Sequence, residues 1–333
     1  MQTQEFDVLT IGNAIVDVIA QVDEAFVSRE KLVKGSMNLI DEPRAEELYA
    51  HMGPATETSG GSAGNTAAGL ASFGAKAAYF GKVRDDQLGA IFAHDMKAIG
   101  VHFATPQASQ GPATARSFIL VTPDGERTMN TYLGASQLLS PDDVDDELVR
   151  FTPITYLEGY MWDRPAAKQA FQKAARIAHE GGNRVALTLS DAFCVDRFRE
   201  EFLGLMRGGL VDTVFANTEE VLSLYRTASF EDALESLRAE GVLGVVTRSE
   251  KGCVVVEGVE TTEVPAFPID RLVDTTGAGD MFAAGFLAGL ARGASRYACG
   301  RLGAMAAAEV IQHIGPRPQT SLKERARLND LAV

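Results

Sequence analysis

The distribution of apolar residues divides the chain into a strand-like start, an irregular β-rich part and a long alternating part. FDVLTIG (6–12) is apolar at its centre and indicates a buried strand that ends at Gly12. Small residues at 64–73 indicate a tightly packed helix. A strand over 75–83 and an amphipathic helix over 85–100, closed by a glycine, are predicted to follow it.

From residue 140 onwards, strand-like and helix-like stretches alternate. We predict strands at 154–159, 184–190, 212–217, 244–249 and 252–258. Helices are predicted between these strands at about 165–181, 195–207, 218–225 and 230–240. This alternation predicts an α/β fold with a central, mostly parallel sheet and helices on both of its faces.

Two earlier segments, at about 18–42 and 111–135, do not fit this alternation. Residues 114–133 contain two β-prone runs around Pro-Asp-Gly-Glu, which is typical of a hairpin. We therefore predict that both segments form a small β-sheet lid inserted in a single domain, residues 1–333.

The acidic segment SPDDVDDEL (140–148) has two interpretations, a metal site and a helix start. Ser140 is a good N-cap, Pro141 suits the first helical position, and acids are favoured in a first helical turn. A metal loop would need ligands at loop spacing and a glycine at its turn. The segment therefore favours the helix start.

Composition and charge narrow the classes of protein. The chain has 333 residues, 46% of them hydrophobic, which suffices for one large α/β domain. The net charge of −14 argues against nucleic acid or an anionic membrane as a partner. The three cysteines form no CxxC pair, the start does not resemble a signal peptide, and the apolar run 281–291 is too short to span a bilayer. We expect a cytoplasmic protein.

Several common nucleotide and metal motifs are missing from the sequence. It has no P-loop, no complete dinucleotide fingerprint, no protein-kinase signature and no H-E-x-x-H pattern. The five histidines are scattered, and a lone histidine is more often structural than catalytic, so we assign none of them a role.

The segment DTTGAGD (274–280) precedes an apolar, Gly/Ala-rich helix. Backbone N–H groups of Ala278, Gly279 and Asp280 could converge on one oxyanion at the helix start. Asp280 would then face the anion and could accept a proton from an attacking hydroxyl group. In the alternative interpretation Asp280 only caps the helix, and spacing alone favours neither.

Two further segments carry polar groups suited to a polyol. In SGGSAGN (59–65), Gly60 and Gly61 allow a ligand close to the backbone, and Asn65 offers both a donor and an acceptor. Asn13 and Asp17 follow the first predicted strand, at the edge where α/β sheets usually bind ligands. Turn and cap roles are the alternative for all of them.

Together, GGSAGN, NTEE (217–220) and DTTGAGDMFAAGF resemble the signatures of the PfkB, or ribokinase-like, carbohydrate kinases. The resemblance covers about residues 6–318 and is strongest to the adenosine-kinase-like branch. It implies a ribokinase-like fold, ATP and Mg²⁺ as cofactors, in some members a monovalent cation such as K⁺, and a closing lid that excludes water. It also implies either a monomer or a homodimer formed through the lid.

The resemblance implies a role for each matching residue. Asp280 matches the catalytic base, and Gly277, Ala278 and Gly279 match the anion hole. Arg127 matches a lid arginine that reaches the phosphates. The residues matching acceptor-binding positions are Asp17, Gly61, Asn65, Tyr160 and Phe193. Asn13 and Gly60, beside Asp17 and Gly61 in the two polyol-suited segments, are assigned to the same acceptor site. Those matching the nucleotide site are Asn217, Glu220, Thr247, Gly252, Thr275 and Ala307, with Glu220 acting indirectly on Mg²⁺.

The sequence leaves open whether the phosphoryl acceptor is a nucleoside or a free sugar. Tyr160 and Phe193 match purine-contacting positions, and a planar base gains from an aromatic face; alternatively, both are core aromatics. Met37 stands where animal adenosine kinases have a polar side chain that reads the purine, and a thioether cannot replace that hydrogen bond. The first hypothesis is a kinase acting on the 5′-hydroxyl of a nucleoside such as adenosine. The others are a kinase for ribose, fructose or a keto-deoxy sugar acid, and a non-catalytic nucleotide- or sugar-binding protein.

Overall fold

A computed structural model describes residues 5–331 of the chain. Fourteen strands occur in this described part: β1 (Val8–Ile11), β2 (Ile15–Gln21), β3 (Met37–Leu39), β4 (Thr56–Gly60), β5 (Ala77–Phe80), β6 (His102–Phe103), β7 (Ala115–Val121), β8 (Arg127–Tyr132), β9 (Ile154–Glu158), β10 (Arg184–Thr188), β11 (Thr213–Asn217), β12 (Leu243–Thr247), β13 (Cys253–Glu257) and β14 (Glu260–Val264).

Twelve α-helices occur in the same described residues: α1 (Glu24–Arg29), α2 (Glu42–His51), α3 (Ser62–Ser72), α4 (Gln87–Ala98), α5 (Asp146–Phe151), α6 (Pro165–Glu180), α7 (Ala192–Arg207), α8 (Thr218–Tyr225), α9 (Phe230–Ala239), α10 (Ala278–Ala291), α11 (Arg296–Val310) and α12 (Leu322–Leu328). None of the helices within residues 5–331 is both long and apolar enough to cross a bilayer.

The larger sheet has nine strands in the order β14-β13-β12-β11-β10-β9-β1-β5-β6. All neighbours from β12 to β6 pair in parallel, as the alternation of strands and helices predicts. Strands β13 and β14 instead continue the β12 edge in antiparallel register. Only residues 248–252 join β12 to β13, and a connection of that length can make a hairpin but not a parallel crossover.

Helices cover both faces of this sheet, as predicted, and divide the apolar residues into two clusters. Neighbouring residues of one strand contribute to opposite clusters, for example Val8 and Leu9 of β1, because side chains alternate along a strand. Helices α3, α10 and α11 supply one cluster, and α6 and α7 supply much of the other. The strands are therefore buried on both faces and read as continuous apolar runs.

The smaller sheet has five strands in the order β3-β8-β7-β2-β4. The predicted hairpin is confirmed as β7 and β8, which pair in antiparallel register. The sheet is larger than its two predicted segments, because β2 begins at Ile15 and β4 adds an outer strand. The sequence of β4, TETSG, has no apolar alternation, so the pattern used for prediction did not detect it.

The acidic segment 140–148 forms two helix starts in succession. Ser140 and Asp143 form a reciprocal capping box around a short 3₁₀ turn, Pro141–Asp143. Helix α5 then begins at Asp146, and the side chain of Asp145 accepts hydrogen bonds from its first turn. The interpretation as a helix start is confirmed, although Ser140 begins the 3₁₀ turn and not the α-helix.

Candidate active site

One large cavity, of about 1490 Å³, lies between the smaller sheet and the carboxyl ends of strands in the larger sheet. Asn13, Glu158 and Asn217 reach it from the ends of β1, β9 and β11, and Ile119 and Met129 reach it from the smaller sheet. The ends of parallel strands are where α/β proteins usually bind ligands. All of the site residues predicted from the sequence line this cavity except Gly60 and Arg127.

Helix α10 begins at the cavity without a side-chain cap. Gly277 occupies the N-cap position with a positive φ of 78°, and a Cβ added there would meet the carbonyl oxygen of Pro316 at 2.5 Å. Glycine is therefore required at this position. The N–H of Ala278 donates to the Thr275 carbonyl at 3.2 Å, whereas the N–H groups of Gly279 and Asp280 have no backbone partner among the described residues.

Asp280 stands at the third position of α10, and its carboxylate points across to α3. It accepts a hydrogen bond from Ser62 Oγ at 2.6 Å and one from Asn65 Nδ2 at 3.1 Å. It makes no hydrogen bond that caps its own helix. Burial raises the pKa of Asp280 above its ordinary value, while these two donors lower it. The interpretation of Asp280 as a simple helix cap is therefore wrong.

The start of helix α3 lies opposite the start of α10 across the site. Its N-cap, Gly61, has a φ of 80°, and a Cβ there would lie 2.2 Å from the Asn13 carbonyl oxygen. Asn13 itself donates from Nδ2 to Glu158 Oε1 at 2.7 Å and accepts from Ser136 Oγ at 2.9 Å. Its amide is thus held by protein groups, and it acts as part of the wall of the cavity.

Asp17 is a buried acid that has no hydrogen-bond partner among the described residues. It is only 6% exposed and lies over Gly60, where a Cβ would approach its Oδ2 to 2.3 Å. Burial raises its pKa to about 7, against the opposing charges of Arg317 and Arg127. Gly60 therefore contributes by making room for Asp17, and the carboxylate can accept hydrogen bonds from hydroxyl groups of a ligand.

Two residues of the site, the buried Glu158 and the half-buried Arg317, were missed by sequence reasoning. Glu158 accepts hydrogen bonds from Asn13 and from the Ala63 N–H, at 2.9 Å, and burial raises its pKa to about 7. It lies at the end of a predicted strand, the criterion that found Asn13, so the same criterion could have found it. Arg317 belongs to the irregular segment 311–321 between α11 and α12, and no pattern there indicates a role for it.

The start of α8 forms another part of the cavity wall. Asn217 and Glu220 make a reciprocal capping box: Glu220 N–H donates to Asn217 Oδ1 at 2.9 Å, and the Asn217 backbone N–H donates to Glu220 Oε2 at 3.0 Å. Asn217 Nδ2 also donates to Glu220 Oε1 at 2.6 Å. Burial raises the pKa of Glu220 to about 7. Thr247, Gly252 and Ala307 line the same part of the cavity, as does Thr275 beside the start of α10.

The aromatic residues predicted to contact a base are exposed in the cavity. Tyr160 is 39% exposed and Phe193 67%, so the alternative that both are core aromatics is wrong. Tyr160 donates its hydroxyl to the Ser190 carbonyl at 3.2 Å, and the Phe193 ring lies 5.4 Å from the guanidinium of Arg197. Met37 lines the cavity and is 46% exposed, so the smaller sheet presents apolar surface here.

Arg127 connects the smaller sheet to the segment before α10. Its Nη2 lies 2.8 Å from Asp274 Oδ2, and its Nη1 donates to Thr276 Oγ1 at 3.4 Å. The side chains of Arg127 and Asp274 are both nearly buried. Its charge is therefore paired with Asp274, next to the cavity and not within it.

The family model described as pfkB family carbohydrate kinase matches residues 7–323. The chain belongs to the PfkB family of carbohydrate kinases. The solved adenosine kinase from Sinorhizobium meliloti is 58% identical, with a TM-score of 0.91, and the alignment covers 98% of this chain and 99% of that one. A probable sugar kinase from Rhizobium etli CFN 42 is 56% identical, with a TM-score of 0.93 and 99% and 100% coverage.

A curated relative extends the likeness beyond these bacteria. The adenosine kinase of Saccharomyces cerevisiae is 28% identical over 330 residues, which is 92% of this chain and 95% of that protein. Membership in the PfkB family confirms the ribokinase-like fold expected from the motifs. It implies ATP as phosphoryl donor, usually with Mg²⁺.

The residues of this PfkB kinase fit both cofactors. The free N–H groups at the start of α10 suit a phosphate oxygen, and a Cβ at Gly279 would meet nothing within 4 Å, so there is room for one. No cluster of three or more His, Cys, Asp or Glu side chains within residues 5–331 could hold a metal ion. Mg²⁺ bound mainly by phosphates and water does not need such a cluster.

Proposed function

We propose that this protein transfers the γ-phosphoryl group of ATP to the 5′-hydroxyl of a nucleoside, with adenosine as the first candidate. The observation that carries the proposal is the position of Asp280. Its carboxylate is turned away from its own helix start, lies in the cavity, and has uncommitted N–H groups beside it.

Asp280 acts as the general base in this proposal. The acceptor hydroxyl would give its proton to a carboxylate oxygen of Asp280 as its own oxygen bonds to the γ-phosphorus, while the bond from that phosphorus to the bridging oxygen breaks and ADP leaves. A pKa raised by burial makes Asp280 a better proton acceptor than an exposed aspartate. The uncommitted N–H groups of Gly279 and Asp280, which follow Gly277 and Ala278 at the start of α10, stabilise the charge on the transferring group.

Other residues orient the two substrates. Asp17, Gly61 and Asn65 hold the hydroxyl groups of the acceptor, while Thr247, Gly252, Thr275 and Ala307 form walls for the nucleotide. When bound, ATP supplies the phosphoryl group and Mg²⁺ offsets the phosphate charge. Both oxygens of Glu220 already accept hydrogen bonds from Asn217. Asn217 and Glu220 therefore act on Mg²⁺ through the water around it and not by binding it directly.

The nucleoside is favoured over a free sugar by the exposed aromatics. Tyr160 and Phe193 offer a planar base an apolar face that a sugar would not use. The likeness to adenosine kinases from Sinorhizobium meliloti and Saccharomyces cerevisiae supports the same acceptor.

We propose that the smaller sheet closes over the cavity as a lid, with Arg127 leaving Asp274 for the phosphates.

A free sugar is the second candidate acceptor. The probable sugar kinase from Rhizobium etli is as similar to this chain as the adenosine kinase is. Met37 and the apolar residues around it also offer no hydrogen bond to the edge of a purine. A binding protein without activity is disfavoured, because such a protein has no need of an acid at position 280.

The test is ADP release from Mg·ATP with a panel of acceptors: adenosine, other nucleosides, ribose, fructose and keto-deoxygluconate. We expect turnover with adenosine at micromolar concentration and loss of that turnover in Asp280→Asn. Asp145→Asn is the matched control, because Asp145 caps an exposed helix start that does not line the cavity. Turnover with a free sugar alone would show that the acceptor is a sugar and not a nucleoside. No turnover with any member of the panel would contradict the proposal.

A further inference from the structure

Arg317 lies behind the acceptor side of the cavity and does not line it. Its Nη1 donates to Ser59 Oγ at 2.7 Å, and its Nε donates to Asn65 Oδ1 at 3.2 Å. Ser59 is fully buried at the end of β4, and Asn65 is buried in the first turn of α3. The guanidinium is thus anchored between two elements that form the acceptor side of the site.

The hydrogen bond from Arg317 determines which way the Asn65 amide faces. A guanidinium can only donate, so the amide oxygen must face Arg317 and the amide nitrogen must face the opposite way. In that orientation Nδ2 donates to Asp280 Oδ2 at 3.1 Å. The reversed amide would set donor against donor at Arg317 and oxygen against carboxylate at Asp280.

Arg317 is also a half-buried positive charge among acids. Asp17, Asp95 and Asp280 all interact with it electrostatically. Burial raises the pKa of Asp17 and of Asp280, and the charge of Arg317 lowers both. Other titratable or charged groups surround Arg317, Asp17 and Asp280: Arg127 of β8 acts on Asp17, and Tyr79 of β5 acts on Arg317. Three groups act on Asp280, namely Tyr156 and Glu158 of β9 and Tyr160 just after it, and Asp17 and Asp280 also act on each other.

We propose that Arg317 is a positioning residue for the phosphoryl acceptor: it fixes the amide of Asn65 toward Asp280 and places a positive charge beside Asp17 and Asp280. The inference rests on the proposed function. Asp280 must be a carboxylate to take a proton, and Asp17 must be one to hold hydroxyl groups by charge-assisted hydrogen bonds.

Two substitutions separate the two contributions. Arg317→Met removes both the charge and the hydrogen bonds while keeping an unbranched side chain. Arg317→Lys keeps the charge but lacks the planar fork that reaches Ser59 and Asn65 together. Arg150→Met is the matched control, because Arg150 pairs with Glu180 at the surface and does not line the cavity.

The experiment measures kcat and kcat/KM against pH for these variants, with Mg·ATP and adenosine, or with whichever panel acceptor the wild type uses. Loss of Arg317 raises the pKa of both acids. As the pH is lowered, the two carboxylates of the variant are therefore protonated earlier, and activity is lost at a higher pH than in the wild type. We expect the acid limb of kcat/KM to move up by about one to three pH units in Arg317→Met.

On the alkaline plateau, where both acids are ionised, only the amide geometry matters. Here we expect kcat to fall roughly 10- to 100-fold in both Arg317 variants. Arg317→Lys should return the acid limb to its wild-type position. Arg150→Met should match the wild type in both measurements.

A purely structural role for Arg317 would lower the melting temperature and leave the acid limb and the plateau kcat unchanged, which would overturn the proposal. If Arg317→Met does not fold, Arg317→Lys decides: a wild-type plateau kcat would contradict the proposal. If the wild type phosphorylates no acceptor, carbon-13 NMR titration of the carboxyl groups of Asp17 and Asp280 in the ligand-free protein still tests it. Unchanged titration in the Arg317 variants would then overturn it.

Discussion

Helices α8 and α10 both begin at the cavity and both carry an acid at their third position, but the two acids are used differently. In α8, Glu220 folds back on Asn217 and closes a capping box. In α10, Asp280 turns away from its helix start and contacts α3. One helix start is satisfied by its own side chains, and the other keeps N–H groups free.

The residue at the N-cap accounts for this difference. Asn217 offers a side-chain oxygen to the N–H of Glu220, and Glu220 returns the hydrogen bond. Gly277 has no side chain to offer, and its positive φ lets the chain enter the helix close to Pro316. An uncapped helix start in a cavity is a ready site for an anion, whereas a closed capping box is not.

The most severe test of this contrast is Asp280→Asn. An amide keeps the shape and can still accept from Ser62, but it cannot take a proton. We expect turnover to fall by about 10²–10⁴ while the melting temperature stays close to that of the wild type. Steady-state rates and thermal melts measure this, and near-wild-type turnover would show that Asp280 is not the base.

Gly277→Ala attacks the open helix start itself. The added Cβ would meet the Pro316 carbonyl oxygen at 2.5 Å in a backbone conformation that alanine disfavours, so we expect unfolding free energy to fall by about 1–3 kcal/mol. Gly279→Ala is the control for stability, because its Cβ has open space within the helix. Equal effects of the two substitutions in urea unfolding would contradict a special role for Gly277.

Glu220→Gln tests the closed helix start through pH. Burial raises the pKa of Glu220 to about 7 in the folded protein. Between about pH 4.5 and 7, Glu220 is therefore ionised in the unfolded chain but protonated in the folded one, so the free energy of unfolding of the wild type falls as the pH rises. Relative to the wild type, the glutamine variant should gain stability across this range, by up to about 3 kcal/mol, and the gain should stay constant above it. Urea unfolding at several pH values measures it; a pH-independent difference would contradict the burial effect.

Asn217→Ala removes the cap and should cost about 1 kcal/mol of stability. Asn217→Ser, which keeps a capping oxygen, should cost less. This is the smallest effect expected, and urea unfolding of the three proteins measures it. If the alanine and serine variants are equally stable, the side chain of Asn217 does not cap α8.

The sequence predicted the larger sheet well because strands buried on both faces produce continuous apolar runs. Nearly all of the site residues proposed from the sequence line the cavity, since glycines and acids at strand ends and helix starts form recognisable motifs. The antiparallel course of β13 was not predicted, although the short gap between the predicted strands 244–249 and 252–258 already allows only a hairpin. Sequence reasoning missed β4 because the sequence of this outer strand, TETSG, is polar throughout and resembles a loop.

Arg317 and the pairing of Arg127 were beyond sequence reasoning for another reason. Arg317 is 252 positions away from Asn65 in the chain, and only the folded structure brings them together. Arg127 was predicted to reach the phosphates, and the structure pairs it with Asp274. Neither contact has a local pattern, because each depends on how separate elements pack.

The most direct measurement follows initial rates of the wild type, Asp280→Asn and Glu220→Gln while Mg²⁺ is titrated with ATP and adenosine fixed. If Asp280 acts on the acceptor and Glu220 acts through Mg²⁺, Asp280→Asn stays slow at every Mg²⁺ concentration, whereas Glu220→Gln approaches the wild-type rate as Mg²⁺ rises. Recovery of Asp280→Asn at high Mg²⁺ would contradict its assignment as the base.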